Sequence, residues 1–156
     1  MGALEKLLNR MKDKRVYFDS NFLIYFLEHH EPQFSAVLPL IQACDAGLIQ
    51  GMTGEAAVAE VMVLPYRKAD AIAIATTKSF FARKNFISVL QHDSACFDSA
   101  SALRASTGMK LIDALHFATA INAGCYFLLT NDRAFKAHKD IEIISLSTLA
   151  DASENR

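Results

Sequence analysis

The sequence predicts an α/β fold, a three-layer α/β/α sandwich around a central, mostly parallel sheet. Short apolar runs alternate along the chain with longer segments of helical periodicity, which is the order expected when helices connect parallel strands. Hydrophobic residues make up 52% of the 156 residues, enough for a substantial core. The length and the absence of an internal repeat or a Pro/Gly-rich linker favour one main domain.

The elements follow one another in a regular order. The apolar runs predict strands at residues 15–19, 48–52, 86–90, 126–130 and 141–144. The segments between and around them predict helices at residues 3–13, 21–29, 34–46, 53–64, 68–84, 93–106, 112–123 and 133–138.

Residues that begin or end helices mark several of these boundaries. Thr53 is a suitable N-cap for the helix that runs to about Leu64, and Pro65 predicts its end. Gly47, Gly108 and Gly124 each follow a helical segment, where a glycine commonly terminates the last turn. We therefore expect short connections between compact elements.

The chain divides into a main domain and two short flanks. Residues 15–148 form the predicted domain, and 149–156 a C-terminal tail. Residues 1–14 are predicted to be a helical extension, because Leu4, Leu7, Leu8 and Met11 share one helix face. Such an extension could serve as a dimer or partner helix, or could reflect an upstream start codon.

The charge balance and the cysteines limit the class of protein. The net charge of -1 argues against a protein that coats nucleic acid by bulk attraction, but not against local basic contacts. The three cysteines form no C-x-x-C pair, so neither a disulfide framework nor a zinc site is indicated. The longest strongly apolar stretch, 22–27, is too short to span a membrane. These observations favour a reduced, cytoplasmic location.

Four acidic residues stand beside apolar runs, where a lone carboxylate is unfavourable. Asp19 and Asp132 directly follow predicted strands, and ligand sites of parallel sheets lie at the carboxyl ends of strands. Glu60 lies on an apolar helix face, and Asp113 lies in the first turn of another helix. Together the four carboxylates predict a site for one or two divalent ions, because Mg²⁺ and Mn²⁺ prefer oxygen ligands.

Each acid also has a structural interpretation. Asp19 and Asp132 can cap the helices that follow them, and Asp113 complements a helix dipole. Glu60 is harder to explain in this way, because its helical neighbours are apolar; Arg67 could be its ion-pair partner. The metal hypothesis therefore depends on the four acids as a set.

Three segments resemble the PIN domain family, in particular its VapC-like toxin ribonucleases. RVYFDSNFLIYFLE is similar to the opening strand and helix, TGEAAVAEVM to the helix with the glutamate, and LIDALHFATAINAGCYFLLTNDRAF to the segment with the last two aspartates. The resemblance implies a PIN-like sandwich and a Mg²⁺- or Mn²⁺-dependent endoribonuclease. It also implies an RNA substrate, often a homodimer, and in many members an antitoxin partner that silences a toxin.

The resemblance assigns roles to individual positions. Asp19, Glu60, Asp113 and Asp132 match the catalytic and metal-binding acids. The small polar residues that would contact the acids or the scissile phosphate are Ser20, Asn21, Thr130 and Asn131. Arg133 is predicted to contact substrate, and Arg104, Lys110 and Lys136 are further candidates for phosphate contacts. His116 is interpreted as a packed histidine or one that contacts a metal-binding residue, because it lacks zinc-ligand spacing.

Other functions remain open at this stage. The chain could be a non-catalytic binding module with the same fold, or a stand-alone nuclease without an antitoxin. A phospho-acceptor receiver domain would require a lysine at the end of the last strand, and 141–146 contains none. A dinucleotide-binding fold is disfavoured because no G-x-G-x-x-G follows the first strand.

Overall fold

The computed structural model describes residues 2–132, 135, 138 and 140–154. Its described part contains one five-stranded sheet with all strands parallel, in the order β3-β2-β1-β4-β5. The strands are β1 Arg15–Phe18, β2 Gln50–Gly54, β3 Ile87–Leu90, β4 Phe127–Leu129 and β5 Glu142–Ile144. The helices are α1 Ala3–Met11, α2 Ser20–Leu27, α3 Gln33–Asp45, α4 Glu55–Arg67, α5 Ala71–Ala82, α6 Ser94–Thr107, α7 Leu111–Asn122 and α8 Leu146–Glu154.

Alternate residues of the central strands face two separate helical layers. Val16 and Phe18 of β1 belong to one hydrophobic cluster, together with buried residues of α1, α2, α3 and α8. Tyr17 and Leu128 belong to the other cluster, which is built mainly from α6 and α7. All four of these strand side chains are completely buried, as expected for a sheet covered on both faces. The predicted three-layer sandwich is confirmed.

The strand order places a switch point between β1 and β4. From β1 the chain moves outward to β2 and β3, then returns to the other side of β1 as β4 and β5. Asp19 follows β1, and Thr130 to Asp132 follow β4. Because neighbouring parallel strands end at the same edge, these residues lie next to each other at the position where such sheets bind ligands.

Two predicted boundaries around β2 are wrong. The strand occupies Gln50–Gly54 rather than 48–52, so Thr53 is a buried strand residue whose hydroxyl donates a 2.8 Å hydrogen bond to the Phe18 carbonyl. Pro65 lies within the last turn of α4, which continues to Arg67. A proline removes one backbone donor of the helix, and the ring of Pro65 is buried.

Helix α8 was not predicted from the sequence. It spans much of the segment expected to be a tail, and Leu146, Leu149 and Ala152 are buried in the domain. The sequence signal for this helix is weak, because small and polar residues separate these three apolar positions. The predicted helix at 133–138 falls largely outside the described residues. No described helix has the length and apolar character needed to cross a membrane.

The N-terminal helix α1 packs on the same core as the rest of the chain. Leu4, Leu7 and Met11 are buried, and Arg10 forms an ion pair with Glu142 beside β5. Leu7 and Met11 belong to the cluster that includes β1 and α8. Within this chain, the apolar face of α1 is therefore already used in intramolecular packing.

We expect Met11→Ala to destabilise the protein by about 2 kcal/mol, because removal of a buried methionine leaves a cavity. Met11 has no exposed surface in the structure. Lys6→Ala is the matched control, since Lys6 is exposed on the same helix. Urea unfolding of both variants measures the difference. Equal stabilities would show that α1 detaches readily and contributes little to the core.

Candidate functional site

Asp19 is the most deeply buried of the four acids. It caps α2, and its Oδ1 accepts a 2.8 Å hydrogen bond from the Ser20 backbone N–H. Its Oδ2 accepts a 2.7 Å hydrogen bond from the Thr130 hydroxyl. Burial raises the pKa of Asp19, although His116 and these hydrogen bonds oppose that change. Asp19 therefore caps α2 and lies in the acid cluster at the same time, so the helix-cap interpretation does not exclude a role in the site.

Thr130 connects the ends of β1 and β4. Its side chain is buried, and its Oγ1 both donates to Asp19 and accepts a 3.1 Å hydrogen bond from the Asp132 backbone N–H. This arrangement uses the hydroxyl as donor and acceptor at once. The loop that carries Asp132 is thereby held against the loop that carries Asp19.

Asp113 and Asp132 form a carboxyl–carboxylate pair. Asp113 lies in the first turn of α7, half-buried, and its side chain is hydrogen-bonded to that of Asp132. Burial, the negative charge of Asp132, this hydrogen bond and the charge of Asp19 together raise the pKa of Asp113 to about 6. Like charges held this close disfavour the ionisation of one another unless a cation compensates them.

Glu60 reaches the same region from α4. Its side chain is 39% exposed, and its Oε1 accepts a 2.8 Å hydrogen bond from His116 Nε2. Glu60 also acts electrostatically on Asp19, because its charge contributes to the raised pKa of that residue. The alternative interpretation of Glu60 predicted an ion pair with Arg67. The partner of the Glu60 carboxylate is instead His116 of α7.

His116 links Glu60 to the centre of the sheet. The imidazole is 1% exposed, and its Nδ1 lies 2.7 Å from the hydroxyl of Tyr17 in β1. The two rings meet edge to face, with centroids 5.8 Å apart. Burial, together with the charge of Asp19, raises the pKa of Tyr17 far above its usual range, so its hydroxyl remains protonated. His116 is thus a packed histidine that contacts a site acid.

His92 joins the two helices that carry Glu60 and His116. It follows β3, its Nε2 accepts a 3.1 Å hydrogen bond from the Ala56 N–H of α4, and its Nδ1 lies 2.7 Å from the Thr119 hydroxyl of α7. Burial and the neighbouring His116 lower the pKa of His92, consistent with a neutral ring that accepts at Nε2. Gly54 leaves room for this contact, since a Cβ there would lie 2.6 Å from Nε2 of His92.

The remaining predicted positions differ in what they can contact. Ser20 is buried, Asn21 is half-buried, and Asn131 is exposed next to Asp132. Arg104 donates a 2.8 Å hydrogen bond to the Met109 carbonyl, and Lys110 lies at the start of α7. Arg133 and Lys136 lie outside the described residues. The structure therefore brings Asp19, Glu60, Asp113 and Asp132 into one region, and Asn21 and Asn131 lie close to Asp19 and Asp132 along the chain.

Tyr17, His92 and Thr119 were missed in the sequence analysis. His92 follows the carboxyl end of β3, so the rule that selected Asp19 and Asp132 could have selected it. Tyr17 carries no such signal, because a tyrosine in an apolar strand is typical of a core. Thr119 likewise resembles an ordinary helix residue, and only the structure shows that its hydroxyl meets Nδ1 of His92.

The oxygen-rich donor set suits a hard divalent cation. In the described part of the chain, however, no three His, Cys, Asp or Glu side chains are arranged to hold a metal ion as they stand. The carboxylates are instead engaged in pairs, Asp113 with Asp132 and Glu60 with His116. The chemistry of these donors fits Mg²⁺ or Mn²⁺, and the charge of a bound ion would offset the repulsion between Asp113 and Asp132.

A cavity adjoins the rim of this region. It has a volume of about 360 Å³ and is lined by residues of the first turns of α3 and α8, by Asn131 and by Ala150. Its walls are mainly apolar, with amide and hydroxyl groups from Gln33, Ser35 and Ser147. None of the four acids lines this cavity, and Asn131, the neighbour of Asp132 in the sequence, connects it to their region.

Comparisons with known proteins agree with this architecture. The sequence matches the PIN domain family over residues 16–141. Comparison with curated proteins gives no significant match. A toxin–antitoxin complex from Klebsiella pneumoniae has a chain that is 21% identical, with a TM-score of 0.65 over 84% of this chain and 97% of that one.

Two further solved structures have the same fold at lower identity. VapBC2 from Rickettsia felis, bound to a promoter DNA fragment, is 14% identical with a TM-score of 0.63, over 84% of this chain and 98% of that one. VapC20 from Mycobacterium tuberculosis, a toxin that cleaves the sarcin-ricin loop, is 14% identical with a TM-score of 0.59, over 72% and 86%. At these identities the likeness concerns the fold.

Proposed function

Because this chain belongs to the PIN domain family, we propose that it is an endoribonuclease that hydrolyses RNA phosphodiester bonds with the help of Mg²⁺ or Mn²⁺. The observation that carries this proposal is the concentration of carboxylates at the switch point between β1 and β4. Burial and mutual repulsion raise the pKa values of Asp19 and Asp113 there, a combination typical of sites that act on a ligand rather than of surface acids.

The four acids would hold the metal ion. We assign Asp19 and Asp113 as primary ligands, while Glu60 and Asp132 complete the coordination or hold the attacking water. When bound, the ion would polarise the phosphodiester and lower the pKa of water. The other residues act on these acids: the Ser20 amide and the Thr130 hydroxyl orient both oxygens of Asp19, so that its carboxylate needs little rearrangement to act.

The rim residues would contact RNA. Asn131 is exposed beside the acids and Asn21 is half-buried in the first turn of α2, so both amides are suited to phosphate or sugar oxygens. We propose the same class of contact for the side chains of Ser20 and Arg133. Thr130 is engaged by Asp19 and Asp132, which favours a role in orienting the acids over direct substrate contact.

We further propose that the nuclease is the toxin of a toxin–antitoxin pair and acts in the cytoplasm. Support comes from the solved neighbours that are toxin–antitoxin complexes, and from three buried free cysteines, which suit a reducing compartment. A small upstream gene for a DNA-binding peptide would distinguish a toxin from a stand-alone nuclease.

We also propose that the protein forms a homodimer. In support, Val63, Tyr66 and Ile72 expose apolar surface on α4 and α5. Light scattering, which measures the mass in solution, tests this proposal.

Addition of Mn²⁺ is expected to raise the melting temperature, because a ligand that binds only the folded state stabilises it by mass action. The same ion should support cleavage of a labelled RNA, and EDTA should stop it. Asp98→Asn is the matched control, since Asp98 is an exposed acid on α6. This variant should retain the full metal response.

An unchanged melting temperature at millimolar Mn²⁺, together with no cleavage, would favour the competing function, a non-catalytic binding module. Cleavage that persists in EDTA would contradict the role given to the metal. Cleavage without a thermal response would indicate that the ion binds only together with RNA.

A further inference from the structure

A buried hydrogen-bonded chain runs from the sheet to the least buried side of the acid cluster. Tyr17 is completely buried in β1, and its hydroxyl lies 2.7 Å from Nδ1 of His116. Nε2 of the same imidazole lies 2.8 Å from Oε1 of Glu60. Each member of the chain lies on a different element, β1, α7 and α4.

The chemistry of the three groups determines the direction of both hydrogen bonds. An ionised carboxylate only accepts, so His116 must donate its Nε2–H to Glu60. When the imidazole is neutral it carries a single N–H, which leaves Nδ1 as an acceptor. The Tyr17 hydroxyl then donates to Nδ1. Glu60 therefore requires the tautomer whose proton lies on Nε2, and Tyr17 satisfies the other nitrogen of that tautomer.

The neighbouring histidine shows that this tautomer is specific to its position. His92 accepts from the Ala56 backbone N–H at Nε2, so its ring proton lies on Nδ1 and is directed at Thr119. The two imidazoles have centroids 5.8 Å apart and carry opposite tautomers by this reasoning. His92 is hydrogen-bonded to the backbone of α4, whereas His116 is hydrogen-bonded to the Glu60 side chain of the acid cluster.

We propose that His116 is a positioning residue that holds the Glu60 carboxylate toward the metal-binding acids, and that the Tyr17 hydroxyl supports it by donating to Nδ1 in the tautomer that Glu60 requires. The inference rests on the proposed function. Glu60 is partly exposed, and a free glutamate side chain samples several rotamers. The hydrogen bond from His116 to Oε1 limits the rotamers of Glu60. It thereby also fixes the orientation of Oε2, which belongs to the same planar carboxylate. Residues that orient metal-binding side chains typically alter affinity or activity by about 10- to 100-fold.

Two substitutions of His116 separate its two nitrogens. His116→Gln places an amide N–H near the position of Nε2 and should still donate to Glu60. His116→Asn has a shorter side chain, which reaches the Tyr17 side but not Glu60. We expect His116→Asn to lower kcat by about tenfold or more with KM for RNA unchanged, and His116→Gln to recover most of the loss. Similar kcat values for His116→Asn and the wild type would overturn the proposal.

Thr119→Val is the control for a general loosening of α7. It removes the hydroxyl that His92 contacts but leaves the chain from Tyr17 to Glu60 in place. It should lower stability while kcat and Mn²⁺ affinity stay near the wild-type values. A decrease in kcat equal to that of His116→Asn would show that packing, not the bond to Glu60, is responsible, and would overturn the positioning role.

The tautomer itself can be read without metal or RNA. Nitrogen-15 NMR of the metal-free wild type at neutral pH should show His116 protonated at Nε2 and His92 protonated at Nδ1. Tyr17→Phe should leave the proton on Nε2, because Glu60 still requires a donor there, but should shift the Nδ1 resonance, because that nitrogen loses its hydrogen-bond donor. A wild-type His116 that carries its proton on Nδ1 would refute the inference, and this measurement decides it even where a His116 variant does not fold.

The two levels of the proposal fail in different ways. A wild type that neither binds Mn²⁺ nor cleaves RNA would contradict the proposed function. An active wild type with the wrong His116 tautomer, or with unaffected His116→Asn kinetics, would contradict only the role of Tyr17 and His116.

Discussion

Replacement of Asp19 by asparagine is expected to lower kcat for RNA cleavage by more than about 100-fold, beyond the effect typical of residues that only support a metal ligand. The change removes one negative charge from the centre of the acid cluster. Asp19 is 3% exposed and its two oxygens are oriented by Ser20 and Thr130, so no neighbouring acid can take its place without moving.

The Asp19→Asn protein should remain folded. An asparagine retains an oxygen that accepts from the Ser20 amide, and its NH₂ group can donate to Thr130 if the threonine hydroxyl turns. Because burial raises the pKa of Asp19, the charged form of this side chain is less favourable in the folded protein than in the unfolded chain, and asparagine carries no charge. Circular dichroism and a cleavage assay test both statements, with Asp98→Asn as the control. Metal-dependent cleavage at the wild-type rate would exclude Asp19 from the site.

Asp113→Asn should have opposite effects on activity and on stability. Loss of this carboxylate should reduce metal-dependent cleavage by about 100-fold or more. At pH 7.5 in EDTA, however, the variant should be more stable than the wild type, because the ionised Asp113 repels Asp132 and Asp19. We expect a gain on the order of 1 kcal/mol after allowance for solvent screening of the half-exposed carboxyl, or about 3 °C in melting temperature.

The pH dependence of this difference has a defined sign. The pKa of Asp113 is raised from 3.8 to about 6 in the folded protein, so folding favours the protonated form. The stability that this proton provides is complete below pH 3.8 and is lost as the pH rises through about 6. Asp113→Asn cannot lose it. The two melting temperatures should therefore coincide near pH 4 and separate above pH 6.

Mn²⁺ should reverse the order of stability. The wild type should gain in melting temperature and the variant should gain much less, because the variant has lost a ligand. Thermal melts between pH 4 and pH 8, with EDTA and with Mn²⁺, measure all of these differences. A variant that is less stable than the wild type in EDTA at pH 7.5 would show that Asp113 has a structural role that outweighs its repulsion.

Much of the fold could be predicted from the sequence. Apolar strand runs such as that around Val16 to Phe18, and helix-ending glycines such as Gly108, are local signals that tertiary packing does not need to correct. The errors occur where local signals conflict. β2 is built from small and polar residues around Gly51 and Gly54, and only its neighbours β1 and β3 make it a strand. Helix α8 similarly depends on the groove that receives Leu146 and Leu149.

The sequence by itself determined which carboxylates are anomalous: Asp19 and Asp132 follow apolar strands, and Glu60 interrupts an apolar helix face. Only the tertiary structure decided what they contact. Glu60 pairs with His116 rather than Arg67, and the side chain of Asp113 is hydrogen-bonded to that of Asp132. Strand and helix periodicity are properties of neighbouring residues and are visible along the chain. The hydrogen bond of Tyr17 to His116 joins residues 99 positions apart, and it arises only when α7 packs on the sheet.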